Sequence, residues 1–234
     1  MRYVRDTVHG FRERPHYEEA ELDAMFEGAV TEFLRKKYDA IRFPISTDDL
    51  TLLIEQDVAD LDQYADLTCF GTGVDGVTEF VPQGKPRVSI SETVHRHENR
   101  LRTTLTHEYG HVRLHAYLFS LEQRRLALGS NRKPNAIYCM RDGMLPTAKR
   151  DWMEWQAGYA SGAALMPKTH VIKAVAGVHS RSGVYGPVSR ESIPGKTLIA
   201  AVVDAFAVSR EAAAVRLKLL RFLGEAPASA SLFS

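Results

Sequence analysis

His107 and His111 stand four positions apart, and Glu108 directly follows the first of them. On a helix that spacing places the two imidazoles one turn apart and about 40° apart around the axis, so both can reach one ion. Zinc takes imidazole nitrogen at about 2.0 Å, and this His-Glu-x-x-His order sets a carboxylate where it can accept a proton from an attacking water. The chemistry predicted is metal-assisted hydrolysis. His107 and His111 are the metal ligands, Glu108 the catalytic base and Zn2+ the cofactor. His115 lies one further turn along the same face, about 6 Å up the axis. That is too far to bind the same ion, and it suits a residue that orients a ligand or an ordinary buried histidine.

A third ligand must come from elsewhere in the chain. The long metzincin motif would need glycine at position 114 and histidine at 117, but these are Leu114 and Tyr117, so that class is excluded. The other large arrangement takes a glutamate from a separate, later helix. Glu154 is the best candidate. It also has the spacing of a helix-capping partner to Asp151. Yet residues 157–164 are almost all small, which lets a second helix pack closely enough to bring a carboxylate to two histidines. Glu122, Asp142 and Cys139 are weaker candidates, and His95, His97, His170 and His179 read as solvated loop histidines. A donor to a developing oxyanion is expected. His115, Tyr138 and Tyr159 could each serve, and the sequence does not choose among them.

Two blocks of the chain together resemble the ImmA/IrrE family of bacterial metallopeptidases. One is residues 104–115, Thr-Leu-Thr-His-Glu-Tyr-Gly-His-Val-Arg-Leu-His. The other begins Glu154-Trp155-Gln156-Ala157-Gly158 and closes on Leu165-Met166-Pro167, with Gly158 where that family usually has asparagine. The likeness extends loosely over residues 50–223. It implies a gluzincin-like endopeptidase with a minimal zincin domain, zinc held by His107, His111 and Glu154, and Glu108 as base. It also implies a protein substrate, a helix-turn-helix transcriptional repressor, and hence a part in transcription regulation.

The elements that must position these residues follow from periodicity and punctuation. Apolar residues at 22, 25, 26, 29, 30, 33 and 34 predict a helix over 17–38, and Ser46 opens a second one running to about 56. Residues 68–70, 77–81 and 87–91 are β-prone, with glycines at 71, 73 and 76 making a turn rather than a nucleotide-binding loop. The strand over 88–91 is expected to hold an extended substrate by main-chain pairing. Helices are predicted over 99–120 and 151–165. Residues 130–149 read as a long connection, residues 178–195 as loop, and residues 196–223 as two short helices around Val208-Ser209. The fold class is α+β: a small, mostly antiparallel sheet packed on the metal-binding helix, with N- and C-terminal helices. The expected division is an N-terminal helical extension (1–45), a zincin-like domain (46–175) and a C-terminal helical segment (176–234).

Composition excludes several alternatives. A net charge of +1 over 234 residues gives no field that would favour nucleic acid or an anionic membrane, so direct nucleic-acid binding is not expected. The polar stretch 1–15 lacks the apolar core of a signal peptide, and two cysteines fit free thiols in a reducing compartment. The expectation is a cytoplasmic protein. Two other functions fit the same residues: a regulatory protein that binds a repressor or antitoxin without cutting it, and a metal-sensing DNA-binding regulator using residues 197–223.

Overall fold

A computed structural model describes residues 1–81, 84–126, 136–140, 151–182 and 186–224. The chain divides into two compact units, Met1–Leu165 and Met166–Ser234. His107, His111 and Glu154 all fall in the first.

The first unit begins with an antiparallel pair, β1 (Arg2–Arg5) and β2 (Glu13–His16). The polar N-terminal stretch is therefore built structure, tied down by Asp6. Its buried carboxylate accepts the N–H groups of Val8, His9 and Phe11 and the indole N–H of Trp152, at 2.9–3.1 Å. Helix α1 (Glu19–Tyr38) buries the predicted stripe of Leu22, Phe26, Val30, Phe33 and Leu34. Fully burying each such side chain stabilises by about 1.5–3 kcal/mol. Helix α2 (Thr47–Glu55) is capped by Ser46, whose hydroxyl accepts the Asp49 N–H at 3.1 Å.

Strands β3 (Asp60–Ala65), β4 (Val74–Glu79), β5 (Arg87–Ser91) and β6 (Ala136–Met140) form one sheet in the order β3-β5-β4-β6. The β3–β5 pair is parallel and the other two pairs are antiparallel. The sheet is thus mostly antiparallel, as predicted. Helix α3 (Glu98–Leu126) packs on β4, and α4 (Trp152–Leu165) packs on both α3 and α1. Phe11, Phe80, Leu118, Phe119, Trp152 and Met153 form a shared core at one end of α3, with the rings of Phe80 and Phe119 stacked at 4.1 Å.

Three expectations for this unit need correction. Residues 68–70 form a 3-10 turn instead of a strand, because the Asp66 carboxylate accepts both the N–H and the hydroxyl of Thr68 and closes the backbone locally. The expected connection over 130–149 contains β6, whose alternation is too short to stand out between proline and glycine. The remaining residues of that stretch, Asp142 among them, lie outside the described residues. Finally, β5 is an inner strand with β3 on one side and β4 on the other. Its main chain is already paired, so it cannot hold an extended substrate.

The second unit contains α5 (Lys168–Ser182), α6 (Ile193–Phe206) and α7 (Arg210–Leu219). The loop expected over 178–195 is helical at both ends. Pro194 misleads here, since proline is well suited to a helix's first turn, where its missing N–H leaves no bond unmade. Ser192 and Ser209 cap α6 and α7. The two short helices expected in the tail are present, but Arg216 is buried with its Nε donating to the Met166 carbonyl at 3.0 Å. Glu211 pairs with Arg190. Among the described residues, no helix is long and apolar enough to cross a membrane.

Candidate metal centre

Helix α3 presents His107, Glu108 and His111 on its buried side, and all three are fully buried. Helix α4 supplies the opposing group. Asp151 caps α4 by accepting the Met153 and Glu154 N–H groups at 3.0 and 3.2 Å. The Glu154 backbone N–H thus completes the cap, while its carboxylate turns toward the two histidines.

His107 Nε2 lies 3.1 Å from Glu154 Oε2, and His111 Nε2 lies 3.3 Å from Glu154 Oε1. The two Nε2 atoms are 3.2 Å apart. Three donors about 2.0–2.1 Å from one tetrahedral ion would stand about 3.3 Å from one another. The group could therefore hold a metal ion, and its donor set of two imidazoles and a carboxylate is one that divalent transition metals accept.

The packing of α4 on α3 makes this approach feasible. A Cβ on Gly110 would lie 2.9 Å from the Ala157 Cα and 3.1 Å from the Ala160 Cβ, so only glycine lets the helices come this close. The hydroxyls of Thr106 and Ser161, 2.7 Å apart, join the same two helices one turn away. The small residues of α4 thus do what their pattern predicts.

Charge in the cluster is strongly coupled. Burial alone would raise the Glu154 carboxyl, but hydrogen bonds from His107 and His111 and their charge outweigh it and hold it well below the usual carboxylate range. Burial would lower His111, and the hydrogen bond and charge of Glu154 raise it instead. Glu108 is pushed up by burial, an effect only partly opposed by His111 and His107. A raised carboxyl in a metal site is a better proton acceptor and donor near neutral pH than an exposed one. Its Oε2 accepts from the Thr78 hydroxyl of β4 at 2.5 Å, and its Oε1 has no hydrogen-bond partner among the described residues. Gly76 of β4 makes room for this carboxylate, because a Cβ there would lie 2.5 Å from Oε1.

His115 is fully buried and in contact with the cluster. Its Nδ1 lies 2.9 Å from His111 Nδ1 and its Nε2 lies 3.0 Å from Gln156 Oε1. Burial, reinforced by the charge of His111, pushes its pKa well below the ordinary imidazole value. Tyr159 is turned elsewhere: its hydroxyl donates to Asp23 of α1 at 3.0 Å. Tyr138 pairs with Val77 through the backbone of β6. The side chains of Tyr138, Cys139, Glu122 and His179 lie outside the described residues. His95 bonds the Gln63 carbonyl at 2.6 Å and stacks on Tyr64, so it is not a free loop histidine.

Sequence reasoning missed Thr78, Gly76, Gln156 and Asp6. Gln156 left a faint signal, a lone amide entering an apolar small-residue helix, where a polar group must find a partner. The other three act across long sequence separations and leave none.

Comparison of this chain with known protein families and with curated proteins found no match in either. The family resemblance therefore stands on its two sequence blocks alone.

Proposed function

We propose that the chain is a zinc-dependent endopeptidase with His107, His111 and Glu154 as the metal ligands and Glu108 as the general base. The observation that carries this reading is the convergence of two imidazole Nε2 atoms, 3.2 Å apart, on the Glu154 carboxylate, one oxygen 3.1 Å from His107 and the other 3.3 Å from His111, with a buried carboxylate next in sequence to His107. Zinc bound there would supply a Lewis acid for the scissile carbonyl and lower the pKa of water. Glu108 would take the proton from the attacking water and deliver it to the leaving amine. Thr78 would hold one carboxylate oxygen and leave the other for that proton.

An extended substrate segment needs a free strand edge. With β5 paired on both sides, the edge next to the base-holding strand β4 is that of β6, which has no second strand partner among the described residues. The family resemblance supports a helix-turn-helix repressor as the protein cut. The test is Glu108→Gln. Zinc content should stay at the wild-type level while cleavage of a cognate repressor falls by about 10²–10⁴-fold. Repressor inactivation that survives this change would mean that the protein acts by binding.

A further inference from the structure

We infer that His115 and Gln156 are positioning residues that lock His111 in the tautomer a metal ion requires, through a hydrogen-bond chain anchored on the Pro15 carbonyl. The inference rests on the reading of His111 as a metal ligand.

The chain has only one consistent direction. Gln156 Nε2 lies 3.2 Å from the Pro15 carbonyl oxygen, which can accept but never donate. The amide end of Gln156 must therefore face Pro15, which leaves Oε1 facing His115 Nε2 at 3.0 Å. Oε1 is an acceptor only, so His115 Nε2 carries a hydrogen and donates it. A neutral imidazole has one donor and one acceptor, so His115 Nδ1 is the acceptor. At 2.9 Å from it, His111 Nδ1 must then carry a hydrogen. In a neutral His111 this leaves Nε2 with its lone pair, and it is Nε2 that faces His107 Nε2 and the Glu154 carboxylate.

The four members come from three elements: His111 and His115 from α3, Gln156 from α4 and Pro15 from β2. The Trp152 ring packs edge-on against His115 with centroids 5.5 Å apart and fixes the plane of the relay. The two histidine ligands are therefore unequal. His107 Nδ1 is buried with no hydrogen-bond partner among the described residues, so it lacks any such lock. Groups that orient a metal-bound histidine are commonly worth about 10–100-fold in metal affinity.

The test is the Zn2+ dissociation constant of the folded protein, measured by competition with a chromophoric chelator. His115→Phe keeps the ring and its packing on Trp152 but removes both nitrogens. It should weaken binding about 10–100-fold. Gln156→Met should do the same, and it serves as the reading if His115→Phe does not fold. Gln156→Glu keeps an acceptor toward His115 but loses the donor to Pro15, so it should bind Zn2+ less tightly than wild type and more tightly than Gln156→Met. A merely structural role would rank the buried charge of Gln156→Glu as the worse change. Wild-type affinity in both His115→Phe and Gln156→Met would overturn the relay and leave the metal site standing. Failure of the wild-type protein to bind Zn2+ would overturn the metal reading and the relay together.

Discussion

Gly110 of α3 and Ala157 of α4 meet backbone to backbone, at a separation where a methyl group on Gly110 would stand 2.9 Å from the Ala157 Cα. This contact decides whether Glu154 can reach the two histidines, since it sets the distance between the helices that carry them. Gly110→Ala would raise helix propensity by about 1 kcal/mol. Overpacking a closed backbone contact costs about 1–3 kcal/mol, so the net effect is destabilising. The measurable outcome is a lower denaturation midpoint together with at least a tenfold loss of zinc affinity. A variant as stable as wild type with full affinity would show that the helices can part without disturbing the ligands.

Glu154→Ala tests the third proposed ligand. It removes the carboxylate that, among the described residues, faces both Nε2 atoms, at 3.1 and 3.3 Å. Zinc content after exhaustive dialysis, measured by atomic emission, should fall far below one equivalent. Unchanged content would place the third ligand elsewhere.

Gly76→Ala separates the base from the metal. The added methyl would overlap Glu108 Oε1 at 2.5 Å, and Glu108 is buried on every side, so the carboxylate has to rotate away from Thr78. Peptidase activity should drop by about 10²-fold or more, as for loss of a general base. Zinc stoichiometry should stay the same, because the three atoms nearest the added methyl all belong to Glu108, which is not among the proposed ligands.

Asp6 gives the fold an acid-sensitive corner. Burial works against its charge, but the N–H groups of Val8, Phe11 and His9 and the Trp152 indole outweigh it and lower its pKa below the ordinary value of 3.8. A carboxyl with a folded pKa below its unfolded one contributes stability above the unfolded value, and that contribution is lost as pH falls through the folded value. The N-terminal turn should therefore loosen from Trp152 below about pH 4. Tryptophan fluorescence followed through an acid titration should show this as a step before global unfolding. Asp6→Asn should remove the step. A step that persists in that variant would assign it to another carboxyl.

What the sequence made legible was local in character. The helical spacing of His107, Glu108 and His111, the cap at Asp151 and the small residues after Glu154 are all patterns within one or two turns. Those patterns were enough to point to the two histidines and the carboxylate that the two helices bring together. The parts that escaped were those made by distant pairing. No pattern around Thr78 signals that its hydroxyl meets Glu108, and none around Asp6 signals Trp152. The same holds for β5, which reads as a half-buried strand whether it lies at an edge or inside the sheet. Only the strand order decides which, and order is a property of the whole sheet.

The Asp6–Trp152 and Pro15–Gln156 contacts join residues 146 and 141 positions apart, whereas the proposed ligands His107 and Glu154 are separated by 47. Closing such long loops costs chain entropy that local helices do not repay, and contacts of this range form slowly. A growing chain that has released α3 from the ribosome holds two histidines but no chelating site. The site closes when α4 has been made and the first strands have returned to meet it. Metal capture at the proposed site would therefore be a late step in folding, and a metal-loaded chain would be one in which residues 6–15 have already met residues 152–156.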